Sequence, residues 1–167
     1  MNTNVNSTAV ASIEDRLTAA SRIISSATRW AAAAGAVPVP LLDSVALATV
    51  QGKMLADLSA LYGHSIRSEV ANGLVSVSLG TLLPAGVTTF LGSFLGSSVK
   101  AIPGVGTALG MISMASFGSA ATYAIGKVFV RHFENGGTVA NFSADAVKED
   151  LKAEFTKAGG KQAAAAV

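Results

Sequence analysis

The glycine-rich stretch LGSSVKAIPGVGTALG, residues 95–110, is the first place in this chain to look for chemistry. Closely spaced glycines let backbone N–H groups surround a phosphate. Here the glycines of GVGTALG follow G-x-G-x-x-x-G, which differs from the dinucleotide-binding spacing. A P-loop also requires Lys and then Ser or Thr after its last glycine, whereas Met111 follows Gly110. We therefore predict a turn between helices, with Pro103 and Gly104 as the turn residues.

The histidines and carboxylates show no spacing typical of a catalytic or metal site. His64 and His132 are far apart, and neither belongs to an HExxH or paired-histidine motif. Asp43 and Asp57 fall on one predicted helix, but their fourteen-residue separation is about four turns, too far for a catalytic pair. The chain has no cysteine, which excludes disulfides and thiolate chemistry. We expect a protein that is not an enzyme and uses no metal or other cofactor.

Charged residues are scarce for a chain of this size. They make up 13% of the 167 residues, while 50% are hydrophobic, and an average soluble domain has about 25% charged residues. This shortage predicts that part of the surface faces lipid or other copies of the chain. The net charge of +2 is too small to favour nucleic acid as a partner. The polar N-terminus has no signal-peptide pattern, so we expect the chain to stay in the cell that makes it.

Hydrophobic periodicity predicts an all-α fold, a bundle of five or six helices. Residues 1–11 have the composition of a disordered lead, and Ser12 is a predicted N-cap. Apolar or small residues then recur at alternating intervals of four and three over residues 13–34. After a VPVP break, Pro40 opens a second helix whose apolar positions over residues 47–61 keep helical spacing.

The remaining boundaries follow from turn and cap signals. The helical domain is predicted over residues 12–140, followed by an amphipathic C-terminal helix within 141–160. Ser143 is the predicted cap of that helix and Gly159 its predicted end. We expect residues 161–167 to be a flexible tail.

The middle of the chain predicts an apolar helical hairpin over about residues 70–130. Thirty uncharged residues separate Glu69 from Lys100, and twenty-six separate Lys100 from Lys127. Each stretch is long enough for the roughly 20 residues that cross a bilayer core. Pro84 and many Ser and Thr residues make insertion of the first stretch marginal. A membrane-spanning hairpin and a hairpin buried in a soluble bundle both remain open.

Glycine spacing in this hairpin predicts close helix packing. Glycine costs about 1 kcal/mol in a helix interior relative to alanine, but a glycine stripe lets two backbones approach closely. Tight packing within a soluble bundle would need the same pattern. The predicted helix-packing or oligomer face is Gly92, Gly96, Gly106, Gly110, Gly118 and Gly126.

Cations near the hairpin ends agree with both termini lying in the cytoplasm. Arg67 precedes the first uncharged stretch and Lys127 follows the second, as the positive-inside tendency requires. The first helix, with Arg22, Arg29 and Trp30, has the residues of a helix at a lipid surface. The same residues suit the solvated outer helix of a bundle, which is the interpretation we favour for this helix.

Three segments resemble a known bacterial family. They are PVPLLDSVALATVQGKMLADLSALYG (38–63), KAIPGVGTALG (100–110) and ATYAIGKVFVRHFENGG (121–137). Over roughly residues 25–140 the chain resembles domain of unknown function 697, a glycine-rich helical module sometimes fused to a GTPase domain. The most specific residues are Pro40, Asp43, Gln51, Met54, Tyr62 and Gly63.

The resemblance implies membrane association and work beside a GTPase, without an established activity. This chain departs from GTPase-fused members, because it has no phosphate loop and no Asn-Lys-x-Asp motif. Any GTPase partner would therefore be a separate chain.

The leading hypothesis is a non-enzymatic, membrane-associated protein that self-associates or docks a partner through the glycine-rich hairpin. Membrane lipid, further copies of the chain and a separate GTPase are the expected partners. The expected location is the bacterial inner membrane or its surface, with the termini in the cytoplasm. The alternative is a cytoplasmic, soluble homo-oligomeric interaction or scaffold module with a buried apolar hairpin.

Overall fold

A computed structural model describes residues 3–35, 42–86 and 105–165, with side chains over 12–34, 45–84 and 115–161. Within these ranges the protein is all-helical and has no β-strand, which confirms the predicted fold class. The elements are α1 (Thr3–Gly35), α2 (Leu42–Leu61), α3 (Ser68–Gly86), α4 (Val105–Glu134), a 3₁₀ helix (Val139–Asn141) and α5 (Lys148–Ala165).

Helix α1 begins earlier than the sequence predicted. The predicted disordered lead is wrong for residues 3–11, which are helical, and Ser12 lies inside the helix. No glycine or proline interrupts the chain from Thr3 to Ala34. Extending an existing helix adds one hydrogen bond per residue, whereas starting one is costly. The polar residues before Ser12 each oppose this by only a few tenths of a kcal/mol.

Helix α5 also extends beyond its predicted end. It continues through Gly159 and Gly160 to Ala165, so residues 161–165 are helical where a tail was predicted. Gly159 is buried in the bundle, and the run of alanines that follows has the highest helix propensity. Ser143 accepts a bond from the N–H of Ala146 at 3.4 Å, but it caps a turn before the helix.

Gly63 ends α2, as the sequence predicted. Its φ of +77° lies in the left-handed region that favours glycine. The N–H of His64 donates to the carbonyl of Ser59 at 2.8 Å, and the N–H of Gly63 donates to that of Ala60 at 3.0 Å. These two bonds form a Schellman motif.

Helices α1, α2 and α4 form the centre of the fold and meet in three layers. Each layer joins one residue of α1, one of α4 and one of α2. The layers are Ala31, Gly118 and Leu47; Ile24, Gly126 and Met54; and Arg16, Glu134 and Tyr62. From the first layer to the third, the residue numbers fall on α1 and rise on α2 and α4. Helix α1 is therefore antiparallel to both, and α2 is parallel to α4.

Helices α3 and α5 close the rest of the core. Helix α3 packs on α2, α4 and α5, and α5 packs along α4. The side chain of Phe129 on α4 stacks on Phe142 with ring centroids 4.0 Å apart. The largest fully buried apolar side chains are Phe129, Phe155, Met54, Leu55, Leu58, Leu82, Ile125 and Leu151.

The predicted glycine-rich hairpin is described only in part. Gly92, Gly96, Pro103 and Gly104 lie outside the described residues, so the turn and the first glycine pair stay predictions. Gly106 and Gly110 belong to the first turns of α4. Among the described helices, none combines the length and the apolar character needed to cross a membrane.

Candidate functional site

Two of the residues that carry the family resemblance, Gln51 and Met54, lie on α2 at its contact with α4. Gln51 is fully buried, and its Nε2 donates to Oγ1 of Thr122 at 2.9 Å. The Thr122 hydroxyl in turn donates to the carbonyl of Gly118 at 2.7 Å. Met54 is buried against Gly126. Pro40 lies outside the described residues, and Asp43 lies in the first turn of α2.

Glycine at position 126 leaves room for the neighbouring helices. A Cβ there would lie 2.7 Å from Cγ1 of Ile24 and 3.2 Å from Sδ of Met54, closer than side chains pack. At Gly118 the corresponding distances to Ala31 and Leu47 are 3.4 Å, an ordinary contact. Position 126 thus requires glycine for packing within the chain itself.

Tyr62 belongs to a three-residue clasp at the end of α2 and α4. Nε of Arg16 donates to Oε1 of Glu134 at 3.0 Å, and Nη2 of Arg16 donates to Oε2 at 2.9 Å. The Tyr62 hydroxyl donates to Oε1 of the same carboxylate at 2.6 Å. The Arg16 guanidinium also lies 5.3 Å from the centroid of the Tyr62 ring, a cation–π distance. This Arg16–Tyr62–Glu134 clasp joins α1, α2 and α4.

The clasp fixes the protonation states of its members. Burial, together with the hydrogen bond to Glu134, raises the pKa of Tyr62 to about 12. The hydrogen bonds from Arg16 and then Tyr62 lower the pKa of Glu134 below its usual value. The hydrogen bond to Glu134 raises the pKa of Arg16. At neutral pH the clasp therefore holds an ionised carboxylate, a charged guanidinium and a neutral phenol.

Both histidines lie near the same end of the bundle, close to the clasp. The ring of His64 lies 5.5 Å from that of Phe133. Nε2 of His132 is 3.0 Å from the carbonyl of Thr138 and 3.0 Å from Oδ1 of Asn141, so it bridges the turn after α4. Across the described ranges no three His, Cys, Asp or Glu residues come together to hold a metal ion.

A groove of about 520 Å³ lies between α1 and α2. We call it the Trp30 groove. Its volume falls in the range of small-molecule sites. Trp30 lines it while leaving 67% of its surface exposed, an unusual position for the one tryptophan of the chain. Its remaining apolar lining is Ile23, Ala27, Val50 and Met54.

The rim of the Trp30 groove carries positive charge. Arg22 lines the groove, and Arg29 is exposed one residue before Trp30. Neither arginine has an ion pair within the part of the chain that the structure describes. Lys53 lines the opposite wall but is bound to Asp57 at 2.8 Å. Sequence periodicity identified the α1 residues but missed the α2 wall, because no local signal places Val50 opposite Trp30.

The comparisons with known proteins settle the family. The family model for a domain of unknown function, DUF697, matches residues 4–159. The chain belongs to this family. It is also similar to Magnetosome membrane protein 22 of Magnetospirillum gryphiswaldense, with 41% identity over 145 residues, covering 82% of this chain and 68% of the relative. No solved structure matches the chain.

The family assignment confirms the resemblance drawn from the sequence. The match extends further than the predicted residues 25–140 and takes in most of α1 and α5. The Trp30 groove and the clasp therefore both belong to the DUF697 domain.

Proposed function

We propose that this DUF697 chain is a non-catalytic protein that associates with a membrane surface through the Trp30 groove. A similar protein is described as a magnetosome membrane protein, and its alignment extends over most of the present chain. The single observation that carries the proposal is the exposure of Trp30 beside an apolar groove and two arginines that have no ion pair in the described part of the chain.

The chemistry of the groove suits the boundary between lipid headgroups and acyl chains. Tryptophan is enriched there, because its ring is apolar while its N–H can reach water or headgroups. The apolar lining would face the acyl chains, and Arg22 and Arg29 would face anionic headgroups. A cationic residue near an anionic membrane contributes about 1 kcal/mol. Helices that lie on membranes combine these features.

The proposal includes the absence of catalysis. Two titratable side chains have partners inside the chain: Glu134 is held by Arg16 and Tyr62, and His132 bridges a turn. These contacts support a structural role for residues that could otherwise act as acid or base.

Self-association is a second candidate, supported by the outer face of α3. This face exposes Val70 and Val77, which are each about half exposed and lie two helical turns apart, at the start of the predicted hairpin. Such a pair would suit contact with another copy of the chain. Docking of a separate GTPase and placement at the inner membrane with cytoplasmic termini remain predictions.

The test is binding of the full chain to vesicles of phosphatidylcholine and phosphatidylglycerol, measured by co-sedimentation. Trp30→Ala should weaken binding about tenfold, the loss expected from removing a large side chain from an apolar site. Leu83→Ala is the control, because Leu83 is also exposed but lies on α3. Absence of vesicle binding by the wild-type chain, or equal weakening in both variants, would refute the proposal.

A further inference from the structure

The other flank of α1 forms two small adjoining pockets against α4 and α5. One is about 160 Å³ and the other about 190 Å³, and Tyr123 lines both. On α1 the two pockets are lined by residues that include Ser21, Ser25 and Thr28. These residues lie on the opposite side of the helix from those that line the Trp30 groove. We call this pair of pockets the lysine pocket.

Three lysines give the lysine pocket its charge. Lys127 comes from α4, and Lys157 and Lys161 are one turn apart on α5. None of the three has an ion pair among the described side chains, and no acidic residue lines either pocket. By contrast, the acidic residues at the start of α5 are bound: Asp150 pairs with Arg131, for example, at 3.0 Å. The positive charge of the pocket is therefore uncompensated.

Oγ1 of Thr28 has no hydrogen-bond partner among the described residues, but it is buried from a water-sized probe and so does not reach a ligand in the pocket. Tyr123 lines both pockets, and its hydroxyl has no hydrogen bond within the described residues. This hydroxyl can donate, and ammonium groups only donate. The pocket therefore fits a ligand that is negatively charged and accepts hydrogen bonds.

We propose that the lysine pocket binds a phosphate monoester group. Either pocket is smaller than the roughly 300–1,000 Å³ of drug-sized ligand sites, so the recognised unit is a small anion. A phosphate group carries nearly two charges at neutral pH and offers only acceptor oxygens. It can therefore take bonds from Lys157, Lys161 and the Tyr123 hydroxyl, which belong to residues that line the same pocket. The same group occurs in soluble phosphate esters and in the headgroup of phosphatidic acid.

The test measures binding of glycerol 3-phosphate to the full chain by isothermal titration calorimetry. Lys157→Gln should weaken binding about tenfold, as loss of one charge-assisted hydrogen bond predicts. Lys148→Gln is the matched control, because Lys148 is exposed on the same helix without an ion pair in the described structure. It should leave the affinity unchanged. Equal weakening in both variants would overturn the proposal by showing a general effect of net charge.

Tyr123→Phe separates ligand binding from folding. Phenylalanine keeps the ring of tyrosine without its hydroxyl, so the free protein should melt at nearly the same temperature while ligand affinity falls. Unchanged affinity in this variant would count against the proposal.

Vesicles distinguish the two sources of the phosphate group. If the ligand is a headgroup, the wild-type chain should prefer phosphatidic acid to phosphatidylglycerol at equal surface charge, and Lys157→Gln should remove that preference. If it is a soluble ester, glycerol 3-phosphate should bind and the preference should be absent. Failure of both arms would refute the lysine pocket, and Trp30-dependent vesicle binding would be unaffected, because the two sites share no side chain.

Discussion

The two flanks of α1 differ in what they offer a partner, although the same helix forms both. The Trp30 groove is open and mostly apolar, with arginines at its rim and an exposed indole. The lysine pocket is smaller and combines the Tyr123 hydroxyl with lysines that have no ion pair among the described side chains. Between them, Ala20, Ile24 and Ala31 face the core. One amphipathic helix can thus present two distinct surfaces when it packs between two neighbours.

The largest expected effect comes from removing two charges from one flank at a time. Arg22→Gln with Arg29→Gln should weaken vesicle binding by about 2 kcal/mol, or about thirtyfold, since each cation contributes about 1 kcal/mol. Lys127→Gln with Lys157→Gln removes the same net charge from the other flank. On vesicles of phosphatidylcholine and phosphatidylglycerol, co-sedimentation should show a much smaller loss for this pair. Equal losses would mean that the flanks do not differ in lipid binding.

A second prediction concerns the close approach of α1 and α4, on which both flanks depend. Gly126→Ala should destabilise the fold by up to about 2 kcal/mol, because overpacking costs about 1–3 kcal/mol and alanine returns about 1 kcal/mol through helix propensity. Gly118→Ala should be neutral or stabilising, because its new Cβ would make only ordinary contacts. Urea denaturation measures the free energy of unfolding of both variants. If Gly118→Ala proved the more damaging change, the layer geometry described above would be wrong.

The smallest effect is expected at the clasp, which holds α1 against α2 and α4. Tyr62→Phe should lower the free energy of unfolding by about 1 kcal/mol, the usual net value of a hydrogen bond.

The lowered pKa of Glu134 gives a stabilisation that is fully present above its ordinary value of 4.5 and is lost as the pH falls through the lowered pKa. The stability difference between wild type and Glu134→Gln should shrink over that acidic range. A difference independent of pH would exclude this role for Glu134.

Local patterns predicted the helices well, because helices follow from residues close in sequence. The periodicity over residues 13–34 and the stop at Gly63 needed no tertiary information. Helices α1 and α5 were both predicted too short: the start of α1 was placed too late and the end of α5 too early. The prediction gave caps and glycines more weight than the continuity of the helix. Propensity is a weak guide where packing extends a helix, as it does at the buried Gly159.

The candidate sites could be predicted only in part. Arg22, Arg29 and Trp30 were identified on one helix, but the opposite wall of their groove depends on how α2 packs. The lysine pocket was missed altogether, because Thr28, Tyr123 and Lys157 come from three helices and no sequence signal joins them. The glycine stripe combined positions of two kinds: Gly126 is required by neighbouring side chains, whereas Gly118 would accept a methyl group.

The parallel direction of α2 and α4 has an electrostatic consequence at the clasp. Both helices end there, so the negative ends of two helix macrodipoles, about half an elementary charge each, converge near the Glu134 carboxylate. Such a concentration of negative charge is unfavourable unless a cation neutralises it. Helix α1 passes antiparallel to both and brings the guanidinium of Arg16 to this point. The topology itself thus calls for a positive residue at position 16.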